Sequence, residues 1–119
     1  MEELTKVEER IMQVIWQLGH CFVKDIIEHL EEEPKPPYTT VSSVVRILET
    51  KGFVNYKAYG KTHEYFPAIS KEEYGKQSFK RMFKKYFDGK AEKVLSFMIE
   101  DEKMSAREIE ALKKFIDKQ

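Results

Sequence analysis

The run Pro34-Lys35-Pro36-Pro37 constrains this chain more than any other feature. Proline has no backbone donor and drives the residue before it out of the helical region, so no helix crosses this stretch. Directly after it, Val41, Val44, Val45 and Leu48 fall at i, i+3, i+4 and i+7. That spacing predicts a helix over about Tyr38–Lys51 with one apolar face. At ~100° per residue, Thr39, Ser43, Arg46 and Thr50 lie on the opposite face, with Ser42 at its flank. β-Branched residues and serine give this helix a poor intrinsic propensity, so it needs packing against other elements to persist. Lys51-Gly52 closes it with a cation and a left-handed cap.

The flanking segments say what it packs against. Thr5 and Glu8 have capping-box spacing, and Val7, Ile11, Val14, Ile15 and Leu18 follow at helical spacing up to Gly19. A short second helix is expected at about Val23–Leu30, with Ile26, Ile27 and Leu30 apolar. Beyond the third helix, Phe53–Ala58 and Thr62–Ile69 are strand-like, and Tyr59-Gly60-Lys61 between them signals a hairpin. Three short helices followed by a hairpin give a winged helix-turn-helix over residues 1–69.

Residues 70–119 differ in character. Ser70-Lys71-Glu72-Glu73 begins a helix whose Phe79, Met82, Phe83, Tyr86 and Phe87 form an aromatic stripe, broken at Asp88-Gly89. A fifth helix over about Lys90–Glu100 carries Val94, Leu95, Phe97, Met98 and Ile99. Ser105 and Glu108 form another capping box, opening a helix with Ile109, Leu112 and Ile116 on one face. Three helices of this size bury too little of their own surface to hide so many large apolar groups. A second copy of the tail would cover them, which makes residues 70–119 a candidate dimerisation domain. Phe79, Phe83, Phe87, Leu95, Phe97, Met98, Ile109, Leu112 and Ile116 are its candidate contacts. A tail folded back on its own winged helix is the alternative.

Formal net charge is zero, yet residues 34–90 hold twelve basic and five acidic side chains, whereas residues 1–33 hold three and nine. A local positive field attracts a phosphate backbone, whatever the total charge. The candidate DNA contacts are Thr39, Thr40, Ser42, Ser43 and Arg46 on the third helix, with Lys57, Lys61 and His63 on or beside the wing. Hydroxyls can meet phosphates or base edges, and arginine favours a bidentate contact to guanine. Tyr38 and Tyr59 could also donate to phosphate.

Other chemistries lack their residues. Cys21 is the only cysteine, and His20, His29 and His63 are scattered, so neither an internal disulfide nor a metal centre is expected. There is no glycine-rich phosphate loop, no paired inward carboxylates and no oriented base, so no enzyme and no cofactor is expected. No stretch reaches the ~18 apolar residues of a membrane span. The opening Met1-Glu2-Glu3 lacks the basic, then apolar, pattern of a secretory signal. A cytoplasmic protein without membrane insertion is expected.

Taken in order, Leu4-Thr5-Lys6-Val7-Glu8, Val14-Ile15-Trp16, Thr39-Thr40-Val41-Ser42-Ser43-Val44-Val45-Arg46, Leu48-Glu49-Thr50-Lys51-Gly52-Phe53-Val54 and Tyr65-Phe66-Pro67 resemble the BlaI/MecI family of penicillinase and methicillin-resistance repressors. The tail matches in Val94-Leu95-Ser96-Phe97, Ser105 and Glu108-Ile109-Glu110-Ala111-Leu112. The resemblance implies a homodimeric repressor on palindromic operators of antibiotic-resistance or sensor-protease operons. It also implies release when a membrane sensor protease signals and the tail is cut, which here falls at Ser96–Phe97. Ser96 stands where well-known members have asparagine. Their helix-three arginine falls where Ile47 stands here, and Arg46 is one position earlier, ~100° around the helix. The cysteine pairs of copper-responsive relatives are absent. The main rival is a winged helix that binds an acidic protein partner.

Overall fold

The computed structural model describes residues 2–101 and 104–118, with only the backbone of Ile116. The elements are α1 (Lys6–Leu18), α2 (Val23–His29), α3 (Tyr38–Thr50), β1 (Val54–Tyr59), β2 (Thr62–Pro67), α4 (Lys71–Tyr86), α5 (Ala91–Glu100) and α6 (Ala106–Asp117). They fall into two compact units, Met1–Tyr74 and Gly75–Gln119.

The first unit is a winged helix. Its core gathers Ile11, Met12 and Ile15 from α1, Ile26 from α2, and Val41, Val45 and Leu48 from α3. Phe53, Val54 and Tyr65 add the base of the wing. Burying one such aliphatic or aromatic side chain is worth about 1.5–3 kcal/mol, far more than the propensity differences along a short helix. β1 and β2 pair antiparallel from Val54↔Pro67 to Tyr59↔Thr62. Gly60 supplies the positive φ of 63° at the first central position of the two-residue turn, as a type II′ hairpin requires. Cys21 and Tyr65 exchange both backbone hydrogen bonds, 2.9 and 2.7 Å, so the link between α1 and α2 adds one rung to the wing.

The strands are shifted from the sequence expectation at both ends. Phe53 is fully buried, its N–H donating to Leu48 and its carbonyl accepting from Ala68. At the far end β2 stops at Pro67, and the Ile69 carbonyl accepts from the Trp16 indole at 2.9 Å. The first turn of α4 also packs in this unit. The Tyr74 ring lies 5.4 Å from Phe53 and 5.8 Å from Trp16, and its hydroxyl accepts from the Leu4 N–H at 3.0 Å.

Glu8 is the one buried charged residue described. Its carboxylate accepts from the Thr5 N–H at 3.0 Å while Thr5 Oγ1 accepts from the Glu8 N–H, which completes the capping box of α1. The same carboxylate oxygen takes the Lys51 ammonium at 2.7 Å. Burial works to raise the Glu8 carboxyl, but the Lys51 and Thr5 donors win and hold it below its ordinary value. Lys51 is held above its own, chiefly by that hydrogen bond. The start of α1 is thus tied to the end of α3.

The second unit contains the rest of α4, with α5 and α6. Asp88 and Gly89, both at positive φ, turn the chain between α4 and α5. Ser105 and Glu108 cap α6 reciprocally, at 3.0 and 3.2 Å. Val94 is the only fully buried hydrophobic residue described in this unit. Phe79, Phe83, Phe87, Leu95, Met98, Ile109 and Leu112 are half-buried. Phe97 is 38% exposed, Ile99 51% and Tyr86 69%. The side chain of Ile116, the last expected dimer contact, lies outside the described residues. No helix described is long and apolar enough to cross a membrane.

Two predictions follow from the first unit. Because the folded Glu8 carboxyl is depressed, its stabilisation is complete above the ordinary value of 4.5 and is lost as pH falls through the lower folded value. Thermal melts should therefore show stability falling below that pH. Glu8→Gln should flatten this dependence, and Glu8→Ala, which also removes the cap, should cost about 1–3 kcal/mol at neutral pH. A Glu8→Gln profile parallel to that of the unchanged protein would assign the acid sensitivity elsewhere. Separately, burial, with Asp25 and Glu64 adding to it, pushes the Cys21 thiol up to about 11. At pH 8 a thiol reagent should leave the native protein unmodified and react only after denaturation.

Candidate nucleic-acid interface

α3 presents two unlike faces because three of its side chains are committed inward. Val41, Val45 and Leu48 are fully buried, which fixes the helix's rotation. Thr39, Thr40, Ser43, Arg46, Ile47 and Thr50 are exposed, and Ser42 is half-buried at the flank. The expected outward direction of Thr39, Ser43, Arg46 and Thr50, with Ser42 at the flank, agrees with their exposure. Its hydrogen bonding adds detail. Ser43 Oγ donates to the Thr39 carbonyl at 2.8 Å, and Thr50 Oγ1 donates to the Arg46 carbonyl at 3.0 Å. Both hydroxyl protons are spent inside the helix, so each oxygen faces outward as an acceptor. Arg46 keeps a guanidinium with five donors and a planar fork, suited to guanine or phosphate.

The start of the helix is also available to a ligand. Pro37 precedes it in extended conformation, and no side chain caps the first turn. Tyr38 is exposed beside it. The first N–H groups of a helix are natural phosphate donors, reinforced by the macrodipole.

The wing lies in the same compact unit. Lys61 sits at its tip, and Lys57 reaches over the Tyr59 ring with its ammonium 5.3 Å from the centroid. Lys57 pairs in register with Glu64, and Ala58 with His63. His63 stacks on Tyr56 at 4.1 Å and 9° and is half-buried. One face of that imidazole therefore belongs to the wing's own packing. Tyr65 is buried beneath the wing. Burial raises its phenol, Glu49 adds to the rise, and Arg46 opposes it.

Among the described residues, no group of three or more His, Cys, Asp or Glu is placed to hold a metal. Cys21 is buried and its thiol protonated at neutral pH, so it offers neither a ligand nor a nucleophile. Sequence reasoning missed two features here. The Glu8–Lys51 tie joins residues 43 apart in the chain, and no local pattern announces it. The exposure of Ile47 follows from its absence from the Val41, Val44, Val45, Leu48 stripe, a signal that was present but unused.

A model of the family described as penicillinase repressor matches residues 4–118. The methicillin resistance regulatory protein MecI of Staphylococcus aureus (strain N315) is 23% identical over 116 residues, spanning 98% of this chain and 94% of that protein. The penicillinase repressor of Bacillus licheniformis is 20% identical over 115 residues, spanning 97% and 90%. The solution structure of the DNA binding domain of the repressor BlaI matches with a TM-score of 0.52 at 23% identity, over 62% of this chain and 94% of that one. That last likeness is one of fold, and it falls on the winged-helix arrangement described above. With a match running from residue 4 to residue 118, through both compact units, the chain belongs to the penicillinase repressor family of BlaI/MecI type.

Proposed function

We propose that the protein is a homodimeric, sequence-specific DNA-binding repressor, with residues 1–69 reading palindromic operators and residues 70–119 holding two copies together. The observation that carries the reading is the outward face of α3, where hydroxyl acceptors and Arg46 stand on a helix whose rotation is locked by the core. Thr39, Thr40, Ser42, Ser43 and Arg46 enter the major groove. Lys57 and Lys61 meet phosphate from the wing, with the free edge of His63 beside them. The basic block over residues 34–90 supplies the sequence-independent attraction. An acidic protein partner would use the same charge but has no need of this acceptor pattern.

The second unit supports the dimer. A three-helix unit with one fully buried hydrophobe among its described residues leaves Phe97, Ile99 and Tyr86 in water, and a second tail is the partner that hides them. Phe79, Phe83, Phe87, Leu95, Met98, Ile109, Leu112 and Ile116 complete that surface. Release fits the same place. A membrane sensor protease cutting at Ser96–Phe97 would act within α5, so the helix must open before the bond fits an active site. Val94 alone buries this helix fully among the described residues, which keeps the cost of opening low. The regulated genes would then be antibiotic-resistance operons, in keeping with the relatives' names, or operons that encode the sensor protease itself.

Gel shifts on the promoter of its own operon, across a salt series, test the reading. Sequence-dependent binding should weaken steeply with salt, each neutralised phosphate contributing about −0.9 to the log–log slope. Binding blind to both sequence and salt removes the repressor reading. Arg46→Ala should cost about 1–3 kcal/mol and relax preference at one position per half-site. Phe97→Asp should shift sedimentation from dimer towards monomer and lower operator affinity with it; an unchanged dimer would place Phe97 outside the interface.

A further inference from the structure

Ile47 is 46% exposed on the reading face of α3. It lies four residues after Ser43 and three before Thr50, so these side chains are neighbours on one surface. Nothing in the fold accounts for an isoleucine here. The core uses Val41, Val45 and Leu48, and a β-branched residue is a weaker helix former than the charged residues that usually occupy exposed positions. Together with Glu2, Arg46, Thr50 and Lys51 it lines an open recess, the only aliphatic side chain among the described residues of a polar wall.

In the major groove the base edges display one apolar group, the C5-methyl of thymine. We infer that Ile47 is a specificity-determining residue that reads thymine methyl groups in the operator. The inference rests on the DNA-reading role proposed above and names what that face selects. Its surroundings agree. Ser43 has donated its proton to Thr39 and presents an acceptor, which matches the N6 amino group that adenine offers in the same A·T pair. Arg46, the adjacent residue, is the group suited to guanine. The face therefore selects A·T pairs beside a guanine, with Ile47 discriminating T from C by one methyl.

The test removes that methyl without touching the protein. A duplex selected from random sequence by the full-length protein has its thymines replaced one at a time, in both half-sites, by uracil. At one thymine per half-site, affinity should fall about three- to five-fold per methyl, the value of one buried carbon. Ile47→Ala should bind the thymine and uracil duplexes equally, while Ile47→Val should keep most of the difference. Unchanged thermal melting of both variants would separate this effect from folding. Three results overturn the inference. If no uracil replacement matters, or if the sensitivity persists in Ile47→Ala, Ile47 reads no methyl although the repressor reading stands. If the unchanged protein selects no sequence at all, both fail together.

Discussion

The burial of Val41, Val45 and Leu48 is the interaction on which the rest depends. α3 is a poor helix by composition, and left alone in water it would not form. It persists because one side of it belongs to the core built by Ile11, Met12, Ile15 and Ile26. That commitment does two things together. It supplies the free energy the helix lacks, and it sets the rotation about the helix axis. Once the valines point inward, Thr39, Ser43, Arg46 and Ile47 have no choice but to point outward. The reading surface is the remainder left by a packing solution.

The ends of the helix are secured by different means. At its start, Pro36 and Pro37 prevent the chain from continuing as one long helix from α2, so α3 can leave at its own angle with its first N–H groups uncapped. At its close, Lys51 turns to Glu8, which also caps α1. A carboxylate this buried is tolerated because its donors come from two elements and compensate its lost water. The arrangement couples charge to geometry: α1 and α3 cannot part without breaking the Glu8–Lys51 ion pair. The wing is held by Val54 and Tyr65 in the core and by the Cys21–Tyr65 rung, and the stacked Tyr56–His63 pair joins its two strands.

What could be read from sequence divides along the distance over which each feature acts. Helix starts at Thr5, Ser70 and Ser105 were legible because caps are local and chemically distinctive. So were the face of α3 and the turn at Gly60. The start of α2 was less so, since Phe22 has no capping side chain; its N–H is instead met by Asp25 from three residues on, at 2.9 Å. Lys51 was expected as a cation for the helix dipole, and its actual partner depends on how α1 crosses α3, which periodicity does not encode. His63 looked like a free wing residue until the register placed it against Tyr56. Of the candidate site, the polar readers were visible as types, whereas Ile47 was hidden by being apolar on a face scanned for polarity.

The modest chemistry of this face bears on why the tail is built as it is. Two of its hydroxyls offer acceptors only, and Arg46 is the one side chain on it with a planar fork of donors. Each good pairing discriminates by about 1–3 kcal/mol, so one helix cannot single out a site among a genome's worth of competitors. Sharpening the helix with further arginines would raise affinity for every phosphate along with the intended base, and non-specific binding would rise as well. Joining two weak readers avoids that. The second binding event becomes intramolecular, and its geometry demands two half-sites at fixed spacing on one face of the duplex. Discrimination then roughly doubles in free energy, while the non-specific attraction per copy stays low. It would also make repression depend on the part of the chain with the fewest fully buried hydrophobes among the described residues. In the proposed dimer, a tail in which Val94 is the one fully buried hydrophobe among the described residues would draw its order from the partner copy. Whatever separated two such tails would then dismantle them, and with them the specificity that pairing would give to single weak readers.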